Sequence, residues 1–130
     1  MLYGSGSYVA DQIEAIAPDL PVEIVPGVSA ISAAAARLGR PLAHKHEVLT
    51  ICPATYHAAD IGAILDRHES TCWLKVNDVL PILVEELRAR GRLDCAALVE
   101  NLGRPKERVF LDLEEALEHD LSYFSLVLVR

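Results

Sequence analysis

Positive charge, cysteine and long apolar runs are all scarce in this 130-residue sequence, and each shortage closes off a class of protein. Lys and Arg number 12 against 19 Asp and Glu, giving a net charge of −7 and a pI near 5.1. That balance argues against nucleic-acid binding through a generic basic surface. The longest apolar stretches, residues 28–36 and the tail around Leu126, fall far short of the roughly 18 residues of a spanning helix, so no membrane partner is expected. No charged N-terminal region leads into an apolar one, so no secretory signal is read and the expected location is the cytoplasm. Cys52, Cys72 and Cys95 are odd in number, widely spaced and set in apolar runs. That is the pattern of reduced, buried thiols rather than of a disulfide or metal site. Low-complexity runs are missing and 52% of the residues are hydrophobic, which excludes disorder. A chain of this length makes one ordinary domain, burying roughly two thirds of its unfolded surface.

What is present alternates between helical and strand periods, which predicts an α/β domain. Residues 8–17 carry Val9, Ile13 and Ile16 at helical spacing, and Pro18 stops the run. A short strand is expected over 22–25, ended by Pro26-Gly27. Ser29 or Ser32 caps a small-residue helix through Leu38, with Gly39 as its stop. Strands are expected over 47–52, 71–76, 95–99, 108–111 and 123–129. A helix over 58–67 gathers Ile61, Ile64 and Leu65 on one side. Asn77 or Asp78 caps another to Arg90, with Pro81 in its first turn, where the missing N–H costs little. Asp112 opens a brief helix over 113–117. Roughly six strands and five helices thus fill the chain, with no linker or repeat.

The usual catalytic signatures are absent: no G-x-S-x-G, no G-x-x-x-x-G-K-[ST], no H-E-x-x-H and no C-x-x-C. Gly4-Ser5-Gly6 resembles half of a phosphate loop, but no strand precedes it and no third glycine follows at the right spacing, so a flexible helix entry is the plainer reading. His44-Lys45-His46-Glu47 places two histidines on one side of an extended segment. A third metal ligand at short spacing is missing, so no metal is assigned; an anion-binding basic edge and a solvated loop both fit. The Pro26-Gly27-Val28-Ser29-Ala30 turn is the most informative local element. It leads into a helix whose first turn holds small residues, which admits a ligand to free N–H groups or simply a closely packed sheet.

In order along the chain, these segments resemble the C-terminal portion of the tetrapyrrole (corrin/porphyrin) methyltransferases. Val22-Glu23-Ile24-Val25-Pro26-Gly27-Val28-Ser29-Ala30 is similar to that family's V-x-V-V-P-G-[IV]-[ST]-[AS] element, and Leu38-Gly39-Arg40-Pro41-Leu42 to the L-G-x-P-L that follows. Met1-Leu2-Tyr3-Gly4 resembles the stretch after its Gly-Asp-Pro loop. Thr71-Cys72-Trp73-Leu74-Lys75-Val76, the Ala97–Gly103 segment and the Ser122-Tyr123-Phe124-Ser125 tail resemble the precorrin-2 C20-methyltransferase branch. The family's Gly-rich loop and Gly-Gly-Asp segment are not in this sequence, so the resemblance implies a partial chain. It implies a last helix and strand of an N-terminal domain plus a crossing helix over 1–38. An α/β C-terminal domain with a mixed, roughly five-stranded sheet flanked by helices would follow over 39–130.

The activity implied is methyl transfer from S-adenosylmethionine to C20 of precorrin-2 in cobalamin biosynthesis. The protein's part is to align donor and acceptor and exclude water, which needs no nucleophilic side chain. Carried over by position, the donor contacts are Leu2, Ser29, Ala30, Lys75 and Leu102. The substrate is a macrocycle rimmed by carboxylates, and Arg37, Arg40, His44, Lys45 and His46 crowd cationic character into one stretch of an acidic chain. Methylation at C17, C11 or of uroporphyrinogen, an RNA methyltransferase relative, and a non-catalytic binding or assembly domain are the alternatives. The acidic balance speaks against RNA. A strand at 22–25 without neighbours would leave apolar surface, so a homodimer is expected, and this chain alone should bind the donor poorly.

Overall fold

The structure, a computed structural model, describes residues 3–130. Its elements run α1 (Gly6–Ile16), α2 (Ala30–Leu38), β1 (Leu49–Pro53), α3 (Ile61–Arg67), β2 (Ser70–Leu74), α4 (Leu80–Ala89), β3 (Ala96–Glu100), β4 (Arg108–Phe110), α5 (Leu113–Ala116) and β5 (Ser125–Val129). The five strands form one mixed sheet in the order β1-β2-β5-β3-β4. Only β1 and β2 pair in parallel, joined through α3; the other pairings are antiparallel.

Alternation along the central strands divides the core in two. Trp73, Leu98 and Val127 face α3, α4 and α5, meeting Ile61, Leu65, Leu83, Leu87 and Leu113. Cys72, Val99, Leu126 and Leu128 face the other way, onto Ile31, Ala34 and Ala35 of α2. The alanines expected to allow close packing therefore do so, and Ile31 alone contributes about 2 kcal/mol by burial. Cys52 and Cys72 are buried, with burial pushing the Cys72 thiol up to about 12. They belong to the two opposite core layers, so neighbouring strands do not let them pair. Cys95 is only half-buried, because it lies in the turn ahead of β3 rather than within the strand.

Local signals explain most element ends. The Ser29 hydroxyl accepts from the Ser32 N–H at 3.3 Å at the start of α2. Gly39 ends that helix in the left-handed region at φ 62°, where a side chain would be strained. Asp112 accepts from the Glu114 N–H at 2.8 Å and opens α5. Neither Asn77 nor Asp78 caps α4, however. The Val76 carbonyl accepts from the N–H groups of both Val79 and Leu80, so Val79 becomes the N-cap residue and no side chain is needed.

Residues 22–25 form no strand, and the sheet has five strands rather than six. The segment pairs with neither edge strand, β1 nor β4, and runs exposed ahead of α2. Helix α1 forms over the expected stretch but buries none of its residues.

Candidate functional site

Strands β2 and β3 end on the same side of the sheet, on either flank of the start of β5. Immediately beyond them Lys75 (φ 61°) and Asn101 (φ 51°) both turn into the left-handed region. For a lysine this costs on the order of 1 kcal/mol, whereas an asparagine adopts it more readily, and such strain gathers at functional sites. Both bends are tied to the same dipeptide: the Lys75 N–H donates to the Ser125 carbonyl and the Asn101 N–H to the Phe124 carbonyl, each at 2.8 Å. The Thr55 hydroxyl also donates to the Lys75 carbonyl at 3.2 Å. Turning both chains away at once opens a hollow of about 350 Å³ floored by Leu74, Val99 and Leu126, with Ala30, Lys75, Asn101, Leu102, Arg104, Tyr123 and Phe124 around it. That is within the size range of small-ligand sites.

A second hollow of about 590 Å³ runs along residues 24–31 and shares Ala30 and Leu74 with the first. The two meet at the N-terminus of α2. There helix geometry leaves the Ala30 and Ile31 N–H groups without intrahelical acceptors, while Ser29 serves Ser32.

The wall made by residues 122–124 is held from behind. Glu100, buried at 1% exposure, accepts from the Ser122 N–H and from Arg108 Nε, each at 2.5 Å. Its carboxyl is held below the usual glutamate value, chiefly by the Arg108 guanidinium and then, against desolvation, by the Ser122 N–H. The Ser122 hydroxyl lies 3.0 Å from Asn101 Oδ1 and accepts from the Phe124 N–H at 3.0 Å. This network holds the backbone that carries two aromatic rings, each under a cation: Lys75 Nζ is 5.0 Å from the Tyr123 ring centre and Arg104 Cζ 3.9 Å from that of Phe124. Tyr123 raises the Lys75 amine above its ordinary value.

Of the residues assigned to the donor by resemblance, Ala30, Lys75 and Leu102 come together in the first hollow, and Ser29 with Ala30 in the second. Leu2 lies outside the described residues. The basic stretch goes elsewhere. Arg40 donates to the carbonyl of Cys95, ahead of β3, and Glu47 pairs with Arg130, beyond β5. These contacts lie at the far end of the strands, about 13 Å from the hollow for a five-residue strand. Arg37 is engaged by Glu107 at 2.6 Å. Lys45 sits in a turn at φ 38°, closed by the His44 N–H donating to Glu47. None of Arg37, Arg40, His44, Lys45 and His46 lines the hollow. Arg37, in the last turn of α2, and Arg40, just past its Gly39 cap, turn toward different partners. Among the described residues no group of three or more His, Cys, Asp or Glu is arranged to hold a metal.

Arg104, Tyr123, Phe124 and Asn101 were not singled out as site residues by sequence reasoning. Their signals were present in the Asn101-Leu102-Gly103-Arg104 and Ser122-Tyr123-Phe124-Ser125 segments, but only the pairing of β3 with β5 makes those segments neighbours.

A profile of the Tetrapyrrole (Corrin/Porphyrin) Methylases matches residues 1–118. The chain is similar to a precorrin-2 C(20)-methyltransferase of Sinorhizobium sp, 37% identical over 124 residues, which are 95% of this chain and 50% of that protein. It is 34% identical to the cobalt-precorrin-2 C(20)-methyltransferase of Salmonella typhimurium over 84% of this chain and 46% of that one. The chain thus spans about half the length of the curated relatives it matches. Among solved structures, a uroporphyrin-III C-methyltransferase from Thermus thermophilus superposes with a TM-score of 0.66 at 27% identity, covering 99% of this chain and 59% of that one. A Thermus thermophilus uroporphyrin-III C-methyltransferase structure with S-adenosylhomocysteine gives a TM-score of 0.62 at 22% identity, over 99% of this chain and 60% of that one. With its profile matched over most of its length and its mixed sheet shared with these enzymes, this chain belongs to the tetrapyrrole (corrin/porphyrin) methylase family.

Proposed function

We propose that this chain supplies one side of the S-adenosylmethionine site of a tetrapyrrole methyltransferase acting on C20 of precorrin-2 or its cobalt form. The observation that carries the reading is the meeting of Ala30, Lys75 and Leu102 at one hollow, although they stand far apart in sequence. The C20 assignment draws on the two relatives at 37% and 34% identity and on the Ser122-Tyr123-Phe124-Ser125 tail.

The residues fit a nucleoside-sized group. The floor of Leu74, Val99 and Leu126 is apolar and excludes water from a flat ring, and the small Ala30 lets such a ring approach the helix end. The Ala30 and Ile31 N–H groups remain as donors for polar atoms at the junction of the two hollows. When bound, S-adenosylmethionine supplies a sulfonium methyl open to in-line displacement by an electron-rich ring carbon. The chain's own task is orientation: doubly anchored bends at Lys75 and Asn101 hold the rim in place, and no side chain has to form a bond.

A ligand in this hollow is covered on one side only, since Tyr123 and Phe124 are more than half exposed. Forgoing three or four hydrogen bonds at roughly 1 kcal/mol each weakens binding on the order of a hundredfold or more. S-adenosylhomocysteine titrated into the labelled chain to millimolar concentration should therefore bind weakly, shifting the amide signals of Ala30, Asn101 and Leu102. Unmoved signals at those positions would refute the donor-site reading, and micromolar affinity would refute the one-sided argument. The same proposal includes self-association through the exposed N-terminal arm and a cytoplasmic setting.

A further inference from the structure

Cations in this acidic protein are mostly committed. Arg37, Arg88, Arg90, Arg108 and Arg130 each pair with a carboxylate. Arg92 donates to the carbonyls of Leu65, His68 and Glu69, and Arg40 to that of Cys95. Lys45, Arg67, Lys75, Arg104 and Lys106 make neither kind of contact among the described residues, and of these Lys75 and Arg104 are the two that line the hollow. Each instead lies against an aromatic ring at the rim of the same hollow. No Asp or Glu lines that hollow. Two positive charges thus face a largely apolar pocket whose lining holds no carboxylate, and an exposed cation–π contact is a weak hold. A carboxylate offers each of them a charge-assisted hydrogen bond, which is stronger. The lysine is moreover kept at a left-handed backbone position that a glycine or asparagine would occupy with less strain.

We infer that Lys75 and Arg104 form a carboxylate-binding pair at the mouth of the hollow between the ends of β2 and β3. This replaces the 37–46 stretch as the place where an acidic ligand is held. Only the owner of the carboxylate rests on the methylase reading: the amino-acid end of the donor and the rim of the macrocycle carry the same group. Rings under the two cations, carried on a backbone held through Ser122 and Asn101, keep the charges parked until the carboxylate arrives.

The test compares the chain with Lys75→Gln, Arg104→Gln and the double variant, each checked for an unchanged thermal melt. Mellitate, a small polycarboxylate unrelated to either ligand, probes the pair itself; uroporphyrin and S-adenosylhomocysteine probe the two owners. Each single variant should weaken mellitate roughly tenfold at low salt, and the double variant more. The difference should collapse near 1 M salt, where the screening length is about 3 Å. Arg104→Lys, which keeps the charge, should recover most of the loss. Uroporphyrin weakened with S-adenosylhomocysteine unmoved assigns the pair to the macrocycle. The reverse, with 5′-methylthioadenosine, which lacks the carboxylate, unmoved, assigns it to the donor. Mellitate binding that is lost in the double variant, while neither uroporphyrin nor S-adenosylhomocysteine binds the unaltered chain, supports the pair and defeats the methylase reading. Equal binding of all three carboxylates by the unaltered chain and the double variant, or binding of none by the unaltered chain, overturns the pair.

Discussion

Helices α1 and α2 make an instructive contrast. Both are short, both carry an apolar stripe at helical spacing, and the sequence announces each with similar clarity. Yet α2 buries Ile31 to 4% exposure while α1 leaves Ile16 at 81%, and the connecting segment leaves Val28 at 83%. The difference lies outside both helices. α2 has the sheet face of Cys72, Val99 and Leu126 to cover, whereas α1 lies against no comparable surface and is tied to the body near its start by the Tyr3 hydroxyl donating to the Ile51 carbonyl at 3.2 Å. Periodicity specifies which stripe is apolar, and only the neighbouring elements specify whether it becomes core.

The largest test of that contrast is in the body. Trp73→Ala empties the core of a fully buried indole and should cost about 3–5 kcal/mol in urea unfolding, whereas Ile16→Ala should cost under about 0.5 kcal/mol. Equal costs would mean that α1 is docked after all. Next comes the arm's own partner. Light scattering should give about twice the 14.2 kDa of one chain, reverting to the single-chain mass in Ile16→Asp/Val25→Asp. A monomer before substitution would remove the homodimer from the proposal.

A smaller effect follows from Glu100. Its folded-state carboxyl sits below the ordinary value of 4.5, held there first by Arg108. Its contribution is therefore present at neutral pH and lost as pH falls through the depressed value, below 4.5. Glu100→Gln should flatten the acid limb of the stability curve. Glu47 and Asp66 shift in the same direction, but solvent screening at these less buried sites leaves Glu100 the steeper contributor. An unchanged acid limb in Glu100→Gln would place the acid sensitivity elsewhere. The smallest effect is expected at Ser125, whose hydroxyl is buried without a hydrogen-bond partner. Ser125→Ala should lie within about 0.5 kcal/mol of the parent or slightly above it, since it deletes an unsatisfied group. A clear loss of stability would reveal a partner for that hydroxyl.

By itself the sequence determined the α/β class, nearly all helix and strand positions from residue 30 onward, the Ser29 and Asp112 caps and the Gly39 stop. These are short-range matters, decided by side-chain periodicity and by donors within one turn. It also held the family resemblance, because the Pro26-Gly27 turn and its small-residue helix form a contiguous string. Tertiary structure alone decided what was non-local. Residues 22–25 stayed out of the sheet, Val76 rather than Asn77 or Asp78 organised the start of α4, and Arg40 and residues 44–47 were carried to the far end of the strands. Lys75, Arg104, Tyr123 and Phe124 became neighbours only because β5 inserts antiparallel between β2 and β3. Strand order is set by the packing of both faces of the sheet at once, and no window of local sequence encodes it.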